Sequence, residues 1–246
     1  MTYIGIIPAR YASTRFPGKP LAIIGGRPMI QRVYEQAKLV LDTVIVATDD
    51  QRIADAVHGF GGEAVLTSPD HRSGTDRCYE AYIKSGSKAD VVINIQGDEP
   101  FIQPKQIQLL MSCFPTEIAT LVKPYTDNDT LQDLLNPNTP KVVFSEKDMH
   151  ALYFSRSVVP YLRSTDQEQW LQKHQYYKHL GMYAYRADIL EQITKLPQST
   201  LEKAESLEQL RWLENGYTIK VAITDIQSIG IDTPEDLKKA NAFLGV

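Results

Sequence analysis

The stretch PARYASTRFPGKPL, from Pro8 to Leu21, sets three cations, Arg10, Arg15 and Lys19, within ten residues. They stand among the small or turn-forming residues Ala9, Ala12, Ser13 and Gly18, and Pro17 and Pro20 restrict the backbone around Gly18-Lys19. Small residues let a ligand approach backbone N–H groups, and cations neutralise phosphate charge. These types at this spacing suit a triphosphate; the plainer alternative is a solvated basic loop. Two familiar phosphate loops are excluded. A Walker A loop needs Gly-x-x-x-x-Gly-Lys and then Ser or Thr, but Ser13 stands at the first glycine and Pro20 at the hydroxyl. The dinucleotide fingerprint Gly-x-Gly-x-x-Gly is also missing after this segment.

Three further segments carry chemistry. QGDEP (Gln96–Pro100) follows an apolar run, and Asp98 beside a polyphosphate suits a magnesium ion, which prefers carboxylate and phosphate oxygen. A plain Gly-Asp turn is the other reading. HRSGTDR (His71–Arg77) offers hydroxyl and backbone donors at Ser73, Gly74 and Thr75, with Arg72 and Arg77 as cations. It can hold a phosphate or a base edge, or simply cap a helix. GIDTPEDL (Gly230–Leu237) sets Asp232 before a capped helix, where it is either a second metal carboxylate or a local cap, with Asp225 as a competitor.

These segments need a scaffold that brings them together, and the element pattern supplies one. Strands are expected at Tyr3–Ile7, Val44–Thr48, Gly62–Ser68 and Val91–Gln96, with helices at Met29–Val40, Gln51–Phe60 and Asp76–Lys84 between them. Such alternation predicts an α/β fold on a mainly parallel sheet. Ligands sit outside the carboxyl ends of such strands, so the loops after Ile7, Thr48, Ser68 and Gln96 should converge. The second half predicts strands at Ile118–Tyr125, Pro140–Ser145, Ala151–Phe154, Leu180–Tyr185 and Tyr217–Ile223. A helix is expected at Leu207–Asn215, a last helix from Thr233-Pro234, and an exposed polar loop with a short helix over Arg163–Gln175. No linker is apparent, so residues 1–246 read as one domain with a small added subdomain.

Composition bounds the partners. A chain of 246 residues can bury a sizeable core. The net charge of −4 gives no reason to expect nucleic acid. No apolar run approaches the roughly 20 residues of a membrane helix, and a strand starting almost at Met1 leaves no room for a signal peptide. A cytoplasmic protein is expected. Cys78 and Cys113 fit no zinc pattern and are expected as inert thiols in helical segments.

Taken in order, PARYASTRFPGKPL, VATDD, SGTDR, QGDEP, LYFSR, KHLGMYAYR, LEQLR and IDTPEDL resemble the 3-deoxy-D-manno-octulosonate (Kdo) cytidylyltransferases over nearly the whole chain. The first motif is shared with sialic-acid cytidylyltransferases; the later ones discriminate. The resemblance implies a glycosyltransferase-A-like nucleotidyltransferase fold with a small dimerisation and sugar-binding subdomain, and a homodimer. It implies transfer of CMP from CTP to Kdo with release of pyrophosphate, for lipopolysaccharide synthesis. It places the nucleotide mainly on residues 1–115 and the sugar and dimer elements on 116–246. Arg10, Ser13, Arg15 and Lys19 would bind the triphosphate, with Arg72, Ser73 and Gly74 also on the nucleotide. Asp98 and Asp232 match Mg2+ carboxylates, whereas Asp225 matches none. Gln96, Arg156, His179, Tyr183, Glu208 and Gln209 would form the sugar pocket, with Glu205 a further candidate. Arg163–Gln175 departs from the family and receives no role. Another sugar acid, 8-amino-Kdo or sialic acid, and a non-catalytic nucleotide-binding regulator are the alternatives.

Overall fold

The apolar runs with no polar face fold into the middle of the sheet. In the computed structural model, which describes residues 1–12, 16–226 and 230–245, the chain opens with β1 (Tyr3–Ala9). A 3-10 turn at Lys19–Leu21 leads to a small hairpin, β2 (Ile23–Ile24) and β3 (Arg27–Pro28), and into α1 (Met29–Lys38). Next come β4 (Val44–Thr48), α2 (Gln51–Gly59), β5 (Glu63–Leu66), α3 (Gly74–Lys84), β6 (Val91–Asn94) and α4 (Pro104–Met111). Then follow β7 (Ile118–Pro124), α5 (Leu131–Leu135), β8 (Lys141–Phe144), β9 (Ala151–Ser155), α6 (Trp170–Lys173) and β10 (Tyr177–Arg186). The chain closes with α7 (Ala187–Ile193), α8 (Thr200–Glu205), α9 (Gln209–Glu214), β11 (Ile219–Ile223) and α10 (Pro234–Phe243).

The main sheet runs β11-β7-β10-β6-β1-β4-β5, with β8 joined to β10 and β9 to β8. β1 lies parallel to β4 and β6, β4 to β5, and β11 to β7. β10 is antiparallel to both neighbours, β6 and β7. The expected mainly parallel sheet is therefore present. Every residue of β4 and β6 is buried, as a sheet covered on both faces requires. Ile4, Ile6, Ile45 and Val92 pack on one side with Cys78 and Ala81 of α3 and Ile189 of α7. Ile7, Val44, Val46 and Ile93 pack on the other with Val33 of α1, Val57 of α2 and Ile107 of α4. Successive strand residues thus feed opposite layers.

Helix starts are set by side-chain acceptors that satisfy first-turn N–H groups. Asp50 accepts from Arg52 N (2.9 Å) ahead of α2, and Ser73 from Asp76 N (3.1 Å) ahead of α3. Thr233 and Asp236 form a reciprocal capping box on α10, with Pro234 in its first turn.

Several expectations need correction. The short helix expected within Arg163–Gln175 is present as α6, but the segment is not wholly exposed. A 3-10 turn at Gln167–Gln169 and α6 carry Trp170 into a satellite cluster with Tyr125, Leu134 and Tyr176. The indole Nε1 donates to Thr165 O at 3.1 Å. β10 extends to ten residues, with a register shift between Leu180 and Tyr183. Cys78 lies in α3, but Cys113 lies in the turn behind α4; both are buried, and burial pushes both thiols up, which keeps them protonated. Phe154 is core, whereas Leu152 on β9 is 65% exposed.

Trp170→Ala is expected to cost about 3 kcal/mol of unfolding free energy through the cavity it leaves. A denaturant titration showing no loss would mean that Trp170 does not anchor the segment.

Candidate active site

Because β1, β4, β5 and β6 run parallel, their carboxyl ends open on one edge. Pro8–Arg10 at the carboxyl end of β1, His71–Gly74 after β5 and Gln96–Asp98 after β6 line one cleft, together with Lys19, Pro20, Arg77 and Asp232. The loop after β4 reaches it indirectly. Asp49 accepts from Arg77 Nη2 (3.1 Å), while Arg77 Nη1 donates to Thr67 Oγ1 (2.6 Å). Arg77 is therefore a buried tie between loops rather than a further cation offered to solvent.

Close packing fixes the loop positions. A Cβ on Gly97 would lie 2.8 Å from Pro8 O, so the β1 and β6 loops touch only because position 97 has no side chain. Gly18 has φ +69°, donates its N–H to Tyr11 O (2.9 Å) and packs under the Tyr11 ring. The Arg52 guanidinium lies 3.4 Å from the centroid of that ring and is also held by Asp50. Tyr11 and Arg52 thus close the neck of the basic loop. Neither was singled out in the sequence, where nothing local links Arg52 of α2 to Tyr11.

Lys19 is the centre of the charge arrangement. Its Nζ donates to Asp98 Oδ2 at 2.7 Å and to Asp232 Oδ1 at 3.1 Å. The two acids are also tied through the backbone, where Ile231 N donates to Asp98 O (2.9 Å). Ile231 packs with Ile24, Met29 and Ala240, which seats α10 against the β2–β3 hairpin. Two adjacent carboxylates facing a cation-lined cleft fit a hard oxygen-preferring cation whose other ligands are phosphate and water. Among the described residues no group of three or more His, Cys, Asp or Glu forms a self-sufficient metal cage. Asp225 does not line the cleft. Ser13 and Arg15 lie outside the described residues.

The expected sugar residues divide into two groups. Gln96 Nε2 donates to Gly181 O (2.6 Å), which joins the end of β6 to β10 beside its register shift. His179 shares a hydrogen bond with Thr120 Oγ1 (3.0 Å) and sits edge-on to Phe154. Burial brings its pKa down to about 3, so the imidazole is neutral at working pH. Tyr183 Oη, Gln209 Nε2 and Asn94 Oδ1 are buried with no hydrogen-bond partner among the described residues. Glu208 accepts from Thr75 Oγ1 (2.7 Å) and Arg211 Nη2 (3.0 Å). Burial pushes its carboxyl up, against the pull of Thr75 and Arg211. Asn94 was not singled out, although it is the one polar residue in the VVIN strand.

Of the expected sugar residues Gln96 lines the cleft, whereas His179, Tyr183, Glu208, Gln209, Arg156 and Glu205 do not. The Arg156 guanidinium donates to the carbonyls of Glu205 (2.6 Å), Pro137 (2.8 Å) and Ser206 (3.2 Å), and it lines a separate cavity with Trp170 and Tyr161. Glu205 accepts from Ser155 Oγ (2.7 Å) and Arg156 N (2.9 Å).

Residues 4–223 match the cytidylyltransferase family, and the chain belongs to it. The chain is 64% identical to the 3-deoxy-manno-octulosonate cytidylyltransferase of Phocaeicola vulgatus, over 99% of this chain and 98% of that one. It is 65% identical to the protein of the same name from Parabacteroides distasonis, with the same coverage of each. A solved structure of CMP:2-keto-3-deoxy-manno-octonic acid synthetase complexed with CTP superposes with a TM-score of 0.90 at 43% identity, over 100% of this chain and 99% of that one.

Gly97→Ala should weaken CTP binding by about tenfold or more, roughly 1.4 kcal/mol, because the β1 and β6 loops must part. Unchanged CTP affinity in a calorimetric titration would contradict the close-packing role. The cleft wall also has a pH signature. Burial pushes Glu80 up, but Lys84, Ser68 N and His71 outweigh it and bring its pKa from 4.5 to about 2. Its stabilising contribution is complete above pH 4.5 and is lost as pH falls toward 2. Glu80→Gln should lower the melting temperature at pH 7, and its gap to wild type should close over that acid range.

Proposed function

We infer that this chain transfers CMP from CTP to the anomeric hydroxyl of Kdo, giving CMP-Kdo and pyrophosphate, the activated sugar needed for lipopolysaccharide synthesis. The observation that carries the reading is the convergence of Arg10, Lys19, Asp98 and Asp232 on one cleft at the carboxyl edge of the sheet. The full-length kinship supports the same acceptor.

The chain's own groups divide the work. Lys19 and Arg10 stabilise the charge that grows on the phosphates as the α-phosphorus is attacked. Ser13, Arg15, Arg72, Ser73 and Gly74 complete the grip on the nucleotide, with the positive end of α3 turned to the cleft. Asp98 and Asp232 would hold Mg2+, which when bound neutralises the triphosphate and acidifies the attacking hydroxyl. A neutral His179 with a pKa of about 3 is no base at pH 7. On the sugar side, Gln96, His179, Tyr183, Glu208 and Gln209 would meet the acceptor, with Asn94 standing opposite Tyr183 in the sheet. Sugar hydroxyls would satisfy buried groups that otherwise lack partners. Arg156 suits the sugar carboxylate once its carbonyl bonds are exchanged, and Glu205 would follow it.

On this reading residues 1–115 hold the nucleotide, with Asp232 added from the far end, and 116–246 hold the sugar. The partner is a second copy of the chain, with β9, an edge strand bearing exposed Leu152, as the contact. A cytoplasmic location fits the CTP substrate, and no helix among the described residues is long and apolar enough to cross a membrane.

Asp98→Asn should abolish pyrophosphate release while circular dichroism shows a wild-type fold; near-normal release would remove Asp98 from the reaction. With wild type, Kdo should support turnover above 8-amino-Kdo and sialic acid in a panel with CTP and Mg2+. A sedimentation run showing only monomer would remove the homodimer.

A further inference from the structure

Lys19 contacts both acids of the metal pair at once, at 2.7 and 3.1 Å, and its side chain is 16% exposed. The acids do not need it to stay together, because the Ile231 N to Asp98 O bond and the packing of Ile231 fix their backbones. The Lys19 backbone is itself fixed, donating to Phe16 O (3.2 Å) and accepting from Ala22 N (3.0 Å) behind the left-handed Gly18. Only the four-carbon side chain is left to move. Two carboxylates sharing one small volume repel unless a cation lies between them.

We propose that Lys19 is the resident counter-ion of the metal site, an ammonium that holds the place of the divalent cation and gives it up only when nucleotide triphosphate arrives. This rests on the cytidylyltransferase reading, which makes Asp98 and Asp232 the metal carboxylates. A divalent ion arriving alone must expel the ammonium into a cleft already lined by Arg10 and Arg72. Arriving with the triphosphate, it leaves the ammonium a phosphate partner in the same cleft. Metal and nucleotide therefore bind with positive coupling, and the coupling is reciprocal. Lys19 acts first by excluding metal and then by holding phosphate.

The test uses Mn2+ alone, followed by the loss of its free-ion paramagnetic resonance signal as protein is added, with neither CTP nor sugar present. Lys19→Met keeps the chain length and removes the charge. It should hold Mn2+ at least about tenfold more tightly than wild type, and the gain should vanish when Asp98→Asn and Asp232→Asn are added. Lys19→Gln should show the same gain, and it replaces Lys19→Met if the latter fails a melting control. Lys19→Arg, which keeps a cation, should bind Mn2+ as weakly as wild type. Neutral variants that bind Mn2+ no more tightly than wild type would overturn the proposal, as would a gain that survives loss of both acids. A failed transfer assay with Kdo would count against the enzymatic reading and leave the Mn2+ comparison standing.

Discussion

The cleft exists because β1 and β6 run parallel and side by side. Ile6 stands opposite Asn94, and Ile95 N donates to Ile6 O just beyond the paired residues. The loops that leave these strands therefore start as neighbours and must pass within backbone contact, which Gly97 permits against Pro8 O. Every other part of the site is hung on that adjacency. Arg10 comes from one loop, Asp98 from the other, and Lys19 returns on the 3-10 turn to meet Asp98. A bulkier pair of loops would separate cation from carboxylate, however well the rest of the sheet packed.

The second half is joined to this edge by buried charge. Arg211, on α9, pairs with Glu202 and Glu208, and both Arg211 and Glu202 are almost wholly buried. Glu208 passes the connection to Thr75 in the first turn of α3, the helix whose cap residue Ser73 lines the cleft. Burying ions in this way costs desolvation, and removing one partner would leave an uncompensated charge worth about 3–5 kcal/mol. The network's contribution is thus better understood as position than as net stability. It sets α9, with Glu208 and Gln209, at a fixed distance from the start of α3.

Much of this was legible in the sequence wherever a local pattern had one physical meaning. VIVAT has no polar face, and it is a strand over the residues expected. Asp50, Ser73 and Thr233 cap the helices they precede. The converging loops were legible because buried parallel strands expose their carboxyl ends together. Other elements carried signals that went unread: Gly25-Gly26 turns the β2–β3 hairpin, both at positive φ. α7 begins directly behind β10 at Ala187 with no Gly or Pro to mark it. What no local pattern could show was the fate of individual charges. Arg77 and Arg156 look like cations available to a ligand, but Arg77 is paired in the wall of the cleft and Arg156 is spent on carbonyl oxygens. Trp170 lies in a polar stretch, and only its long-range neighbours make it core.

The bond between Lys19 and Asp232 joins positions 213 residues apart. During synthesis the cations and Asp98 emerge early, while the second acid comes almost at the end of the chain. A nascent chain that has not released residue 232 carries only one carboxylate of the pair. Contacts of such high sequence separation form late, since loop closure must precede them. The packing of α10 beside the hairpin and the delivery of the second acid to the cleft are in this way one late event.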